Sequence, residues 1–449
     1  MAQKILSFVG CHGFGVFDKA VCFRFCGIAI CSGLLTVTAN LSQPPQTGSL
    51  ARKRVLIVGG STRAAAWSAI RAGYQPVCAD LFADLDTRQI AEIIPVRDYP
   101  DSLPDDVSRV QADGWFYTGA LENRPDLIER MDFATASFGP LMGTSASALR
   151  KIRDPFWLAE TLQTAGWPAL AIRPGSERPP VDGTWMQKPF ASAGGRSVSA
   201  WWGSQQGRES VEPTYFQKRC DGQPFSAIFC QTAAGVEFLG LTEALMDVAE
   251  SHAPEPFSYC GSVAPWHPSE SVEQTNLARQ LKSLAEIFAV EAGLRGMFGI
   301  DFIFDGTRPW VVEVNPRYTA SVEALELSRR QSLVAASLPN VRDVAFEDLV
   351  SRQGPTKSRF VAKQILYARD SFTAPDLGKF GVVPTAWDVP ILADIPVPGT
   401  QIQATWPICT VLAEGATREE CFRRLADRVD TVWKMVNHRA SEPAGPSQK

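Results

Sequence analysis

The sequence predicts an α/β protein in several parts: an N-terminal doubly wound domain, a larger mixed α+β core in two lobes, and a small C-terminal α/β lobe. Three observations carry this reading. The chain has 449 residues, too many for one core at roughly 100–200 residues per domain. Residues 54–80 read as strand, glycine turn, helix, strand, a βαβ unit. Residues 298–317 alternate apolar and polar side chains on both sides of a turn, the period-two signature of a β-hairpin.

Composition narrows the function. Lys and Arg total 44 against 48 Asp and Glu, a net charge of −4, so no basic surplus points to nucleic acid or an anionic membrane. A mean hydropathy of −0.06 excludes a polytopic membrane protein. Four His argue against a multi-histidine metal centre. Cys78, Cys220, Cys230, Cys260, Cys409 and Cys421 are scattered, with no C-x-x-C among them. They read as reduced apolar residues, which favours a cytoplasmic protein.

Residues 1–50 stand apart. Val21 to Ala39 is mostly apolar, is interrupted by Arg24 and ends in Val37-Thr38-Ala39. It is short for a membrane span of about 20 residues. A signal peptide, an anchor and a disordered or mis-assigned leader are the three readings. The last is preferred, because Pro44-Pro45, Gly48 and Ser49 read as a linker into a clean domain start. Domain one then covers residues 51–145. It starts with Val55-Leu56-Ile57-Val58-Gly59-Gly60 as a buried strand and turn, and Arg63 to Ile70 follows as a helix. Val77-Cys78-Ala79-Asp80 is the next strand. The turn lacks the third glycine of G-x-G-x-x-G, so a doubly wound domain without a dinucleotide in that turn is expected.

The core is expected over residues 146–345. Phe156, Ala159 and Leu162 recur at helical spacing until Ala165-Gly166-Trp167-Pro168. Trp185 to Val198 reads as strand, small-residue loop, strand. Ser192, Gly194 and Gly195 let backbone N–H groups approach an anion, while Lys188 and Arg196 place positive charge at both ends. Tyr215 to Gly222 reads as a strand ending in a turn, able to pair its backbone with an adenine edge, with Asp221 near ribose hydroxyls. Gln274 to Leu294 is an amphipathic core helix through Leu277, Leu281, Leu284, Ala285 and Phe288.

The strongest pattern is the hairpin. A turn near Gly306-Thr307 brings Asp301 and Glu313 near each other on one face, and Asn315 shares that face two residues on. Two carboxylates and a carboxamide in an apolar hairpin make a hard-oxygen site for Mg²⁺. Phe302, Phe304, Val312 and Val314 should bury the opposite face. Glu243 and Phe257 to Gly261 read equally well as acceptor pocket or as surface. From Arg359 onward, strand Ile408 to Ala413 and a helix capped by Thr417 form a lobe over residues 355–435, and residues 436–449 read as a disordered tail.

Over residues 54–430 these elements resemble the ATP-grasp superfamily, closest to ATP-dependent carboligases related to biotin carboxylase. The resemblance implies ATP and Mg²⁺ (or Mn²⁺) as cofactors. Lys188, Ser192, Gly194, Gly195 and Arg196 would hold phosphates, and Gln217, Lys218, Cys220 and Asp221 the adenosine. Asp301, Glu313 and Asn315 would hold metal, and Arg317 with Lys188 would act on the transferred phosphate. The family's second lysine is expected near the helix starting at Asp154. Pro155 takes its place, so Lys151 is assigned to the nucleotide, with Arg153 as the other candidate. Gln217 replaces a common glutamate. The glutamate that activates bicarbonate in biotin carboxylases is out of register after Arg317, and no Met-Lys-Met biotin-attachment motif occurs. The implied activity is therefore a carboxylate–amine ligase acting through an acyl phosphate, in cofactor or secondary-metabolite biosynthesis. The alternatives are a non-catalytic nucleotide-binding subunit and, behind it, a carboxylase. Small-molecule carboxylate and amine substrates are the expected partners, without nucleic acid or membrane, and a homodimer is compatible with the family.

Overall fold

The computed structural model describes residues 53–203, 213–266, 271–338, 359–378 and 385–440. The leader over residues 1–50, with its linker, and the boundary expected between the core and the C-terminal lobe, residues 345–355, lie outside them. Residues 53–145 build a parallel sheet in the order β3-β2-β1-β4. Its strands are β1 (Arg54–Gly59), β2 (Gln75–Asp80), β3 (Glu92–Ile94) and β4 (Trp115–Tyr117). Between and around them lie α1 (Arg63–Arg71), α2 (Leu85–Ile90), α3 (Leu103–Val107) and α4 (Pro125–Thr135). Val55, Leu56, Ile57 and Val58 are all buried, as expected of a central strand covered on both faces. Gly59 ends β1 against Thr118, where a Cβ would stand 1.9 Å from the hydroxyl oxygen. The turn's glycine thus serves close packing. Asp80 accepts from the Thr62 amide and hydroxyl, which commits the N–H at the mouth of α1.

The next segment carries α5 (Ala146–Ile152), α6 (Pro155–Thr164), β5 (Ile172–Pro174), β6 (Trp185–Pro189), β7 (Ser199–Ala200) and β8 (Thr214–Lys218). The four strands form a small sheet in the order β5-β8-β6-β7. Asp154 caps α6 by accepting from the Phe156 amide, and Pro155 occupies the first helical position, where its missing N–H costs nothing. The buried face of α6 is Pro155, Leu158 and Leu162. Phe156, expected inward, instead stacks on Phe190 of the following loop.

The second sheet is larger. It comprises β9 (Gln223–Thr232), β10 (Gly235–Met246), β11 (Tyr259–Ala264), β12 (Gly296–Phe304) and β13 (Pro309–Asn315). Helices α7 (Ser271–Ala292) and α8 (Val322–Arg329) pack on it. It continues through β14 (Phe360–Tyr367), β16 (Leu392–Ala393) and β18 (Pro407–Gly415), with α9 (Arg418–Ala440) behind; β15 (Phe372–Thr373) and β17 (Gln401–Ile402) pair separately. The order is β13-β12-β9-β10-β11-β14-β18-β16. The expected C-terminal lobe is therefore not a separate layer: β14 adds onto β11 and carries the core sheet onward. The free edge of β11 explains this, since unpaired backbone groups at a buried edge must find partners. Residues 436–440, read from sequence as the start of a disordered tail, are helical, and residues 441–449 lie outside the described residues. Val436 is buried in line with Leu425, Val429 and Val432, so α9 runs to Ala440. The amide of Glu420 donates to the Thr417 hydroxyl at 3.1 Å, the expected cap. Leu277, Leu281, Leu284, Ala285 and Phe288 of α7 are buried against Phe225, Phe298 and Phe302. No helix among the described residues is long and apolar enough to cross a membrane.

Candidate active site

The β12–β13 register places Asp301 opposite Glu313 and Gly299 opposite Asn315. A bulge follows: Phe302 pairs with Val311, which leaves Val312 as the extra residue. The parity of β13 changes there. Val311, not Val312, is buried with Phe302 on the far face. Val312 instead lines the cavity, and its carbonyl accepts from Gln217 Nε2 at 3.4 Å. Sequence alternation alone cannot show such an insertion.

Asn315 Nδ2 donates to Asp301 Oδ2 at 2.7 Å and to Glu313 Oε1 at 3.4 Å. Burial and the Glu313 charge push the Asp301 carboxyl up to about 7. Burial would raise Glu313 as well, but Arg153, Lys188, Asn315 and Arg317 together hold it below the usual range. Two crowded carboxylates beside a carboxamide oxygen fit a hard divalent cation. Among the described residues no three His, Cys, Asp or Glu side chains form a metal cluster, so other oxygen donors, such as phosphate and water, would have to complete the coordination.

Lys188 lies on β6 and is buried. Its ammonium donates to Gln217 Oε1 at 2.6 Å. Burial brings it down to about 8, with Glu313 opposing. Gln217 therefore joins Lys188 to the Val312 bulge. The second cation is Arg153, not Lys151. Lys151 is exposed on α5, donates to the Glu291 carbonyl and lies over Trp157, outside the cavity. Two residues are about 200° apart on a helix, so the C-terminal cap Arg153 faces the other way. Its guanidinium reaches Glu313 Oε2 at 3.3 Å and donates to the Ser192 carbonyl at 3.1 Å.

Arg317 follows the hairpin. Its guanidinium meets Glu122 Oε1 at 2.6 Å and donates to Asn315 Oδ1 at 3.3 Å. Glu122, buried in the N-terminal domain, carries no local sequence signal, because its partner is distant in the chain. It is the clearest site residue that sequence reasoning missed.

The Ser192–Arg196 loop lines the same cavity. Gly194 and Gly195 adopt φ of +64° and +74°. A Cβ on Gly195 would stand 1.7 Å from the Phe257 carbonyl oxygen, so only glycine fits. Tyr259 N donates to the Gly194 carbonyl at 2.9 Å, and the Ser197 amide donates to Glu255. Ser192, Gly194, Gly195, Arg196, Lys218, Cys220 and Asp221 all line one cavity of about 700 Å³ with Lys188, Gln217, Asp301, Glu313, Asn315 and Arg317. Cys220 and Asp221 lie just past Lys218, the last residue of β8 paired with β6. Of the acceptor candidates, Phe257, Ser258 and Tyr259 line the cavity. Glu243 does not: it is held outside by Arg418 at 2.7 Å.

A buried ionic network joins the N-terminal domain to the large sheet, and its members Arg63, Lys363 and Asp394 line the cavity. Glu323 on α8 receives Arg63 Nη1 at 2.6 Å and Nη2 at 2.9 Å, and Lys363 Nζ at 2.8 Å. Asp394 receives Arg63 Nε at 3.0 Å and the Thr410 hydroxyl at 2.6 Å.

Comparison with known proteins follows this geometry. Residues 159–321 match the ATP-grasp domain family. A curated, uncharacterized protein of Methanocaldococcus jannaschii is 28% identical over 121 residues, a stretch that spans 27% of this chain and 27% of that protein. The fold is similar to that of biotin carboxylase from Campylobacter jejuni, solved as a β-γ-ATP complex, with a TM-score of 0.58 and 12% identity over 86% of this chain and 97% of that one. L-amino acid ligase from Bacillus licheniformis is similar at a TM-score of 0.58 and 13% identity, over 84% and 97%. Its two sheets line the cavity between them, and the stretch 159–321, which supplies most of that lining, carries the match to the ATP-grasp domain.

Proposed function

We propose that the protein is an ATP- and Mg²⁺-dependent ligase joining a small-molecule carboxylate to an amine. The observation that carries this reading is the convergence of Lys188, Arg153, Arg317, Asp301, Glu313 and Asn315 on one cavity. Lys188, Arg153 and the Ser192–Arg196 loop would bind the polyphosphate, and the end of β8 would take the adenine. Asp301, Glu313 and Asn315 would hold Mg²⁺, which neutralises charge on the transferring phosphoryl group. The substrate carboxylate oxygen attacks the γ-phosphorus, the bond to ADP breaks, and an acyl phosphate forms. Arg317 stabilises its negative charge. The amine nitrogen then attacks the acyl carbon, phosphate leaves, and the amine loses a proton.

One feature supports ligation over carboxylation: Glu323 is buried beneath Arg63 and Lys363, so it offers no free base to bicarbonate. Cys78, Cys220, Cys230, Cys260, Cys409 and Cys421 are free thiols, in keeping with a cytoplasmic enzyme. A panel of carboxylates and amines, scored by Mg²⁺-dependent ADP release with products read by mass, tests the reading. Absence of nucleotide binding at saturating MgATP would sink it.

A further inference from the structure

The cavity extends well beyond the phosphate-handling groups, along one face of the large sheet. Register carries it from strand to strand: Asp301 pairs with Ser226, Ala244 with Ser262, Ser262 with Lys363 and Ile365 with Thr410, and all of these residues line it. Alternation along β14 puts Lys363, Ile365 and Tyr367 on this face. The half under β14 and β18 is walled by Phe82, Ile365, Tyr367, Pro396, Ile402 and Ile408.

The polar groups of this half are already committed to one another. Lys363 donates to Glu323 and to the Ala320 carbonyl. Arg63 is held by Glu323 and Asp394. Asp394 also receives Ser61 and Thr410. The Tyr367 hydroxyl donates to the Tyr259 carbonyl, and the Tyr259 and Ser262 hydroxyls pair. A phosphate or second carboxylate placed here would lose its water, and these paired cations could meet it only by breaking their own contacts. An apolar group would lose nothing and would shed its hydration.

We propose that this half of the cavity takes the apolar body of one of the two substrates, an aromatic or branched aliphatic group bearing no phosphate and no second carboxylate. The inference rests on the ligase reading and deepens it by naming a substrate class. The full chain is titrated calorimetrically with 3-phenylpropionate, phenethylamine, glutarate and 3-phosphonopropionate, each with and without a non-hydrolysable MgATP analogue. At least one aromatic probe should bind at least about tenfold tighter than either dianion. Binding of 3-phenylpropionate assigns the apolar body to the carboxylate substrate, and binding of phenethylamine assigns it to the amine. Ile365→Asp, at a half-buried wall position, should abolish that preference and leave the MgATP analogue bound as before. Ile365→Ala, which adds no charge, should weaken the aromatic probe several-fold and serves if the aspartate variant fails to fold. Dianions binding as tightly as the aromatic probes, or neither aromatic probe binding, overturns the proposal. Failure of the MgATP analogue to bind overturns the ligase reading instead, and the titrations without nucleotide then still decide the apolar site.

Discussion

Replacing Glu323 with Gln removes one charge from the buried network and little volume. In the parent the carboxylate accepts from Arg63 at 2.6 and 2.9 Å and from Lys363 at 2.8 Å. After the change Arg63 keeps Asp394 at 3.0 Å and Asp86 at 3.5 Å. Lys363 keeps the Ala320 carbonyl at 3.1 Å, the amide oxygen of the new side chain and the weaker attraction of Asp394. One buried ammonium thus loses the carboxylate it is hydrogen-bonded to. Breaking a buried pair costs about 3–5 kcal/mol, and the retained partners of Arg63 put this case near 3 kcal/mol by that scale. Urea unfolding at neutral pH measures it. Glu323→Gln with Lys363→Met should recover most of the loss, because the stranded charge is gone. The pH dependence has a definite sign. Burial would raise the Glu323 carboxyl, but Arg63 and Lys363 overcome burial and hold it far below its usual range. Its stabilising contribution is complete above the unfolded value of about 4.3 and disappears as pH falls toward the folded value. Parent and variant should therefore converge in stability under acid. A loss below about 1 kcal/mol, the scale of an exposed ion pair, or a gap that stays constant into acid, would refute the reasoning.

Three further outcomes are expected. Glu313→Gln should lower turnover at least about a hundredfold, measured as ADP release across a Mg²⁺ titration, since the metal's stabilisation of the transition state amounts to several kcal/mol. Arg153→Ala should lower turnover about tenfold or more through its lost contacts to Glu313 and Ser192, whereas Lys151→Ala should match the parent; equal loss from both would return Lys151 to the site. Glu122→Gln should lower kcat about tenfold with the KM for MgATP nearly unchanged, because Arg317 loses its 2.6 Å partner, and Glu122→Asp should recover part of that loss.

What was legible in the sequence is whatever local periodicity encodes. Asp301, Glu313 and Asn315 were found because strand side chains alternate, and the β12–β13 register confirms their pairing. Lys188 stood out in sequence by the small-residue loop beside it, and the structure places it in the cavity with that loop. The rest depends on contacts that no local pattern carries. Lys151 and Arg153 are equally basic in sequence, and only the rotation of α5 and the cap at Arg153 separate them. Glu122 reads as an ordinary acidic residue until the N-terminal domain docks and brings it to Arg317. The Val312 bulge exchanges buried and cavity-facing positions within one strand. The C-terminal strands looked like a lobe because pairing between β11 and β14 spans a stretch of chain that has no hairpin signal.

That last pairing bears on how the polypeptide can be assembled and divided. In the sheet β14 is flanked by β11 and β18, so Pro407–Gly415 must insert beside a strand made some forty residues earlier. A nascent chain stopping short of Pro407 would present the whole of Phe360–Tyr367 as an open edge, with Val361, Ala362 and Leu366 exposed to neighbouring chains. The segment from β14 to β18 is therefore not a cassette that could be deleted or exchanged between relatives: its strands complete the sheet that the β12–β13 hairpin begins.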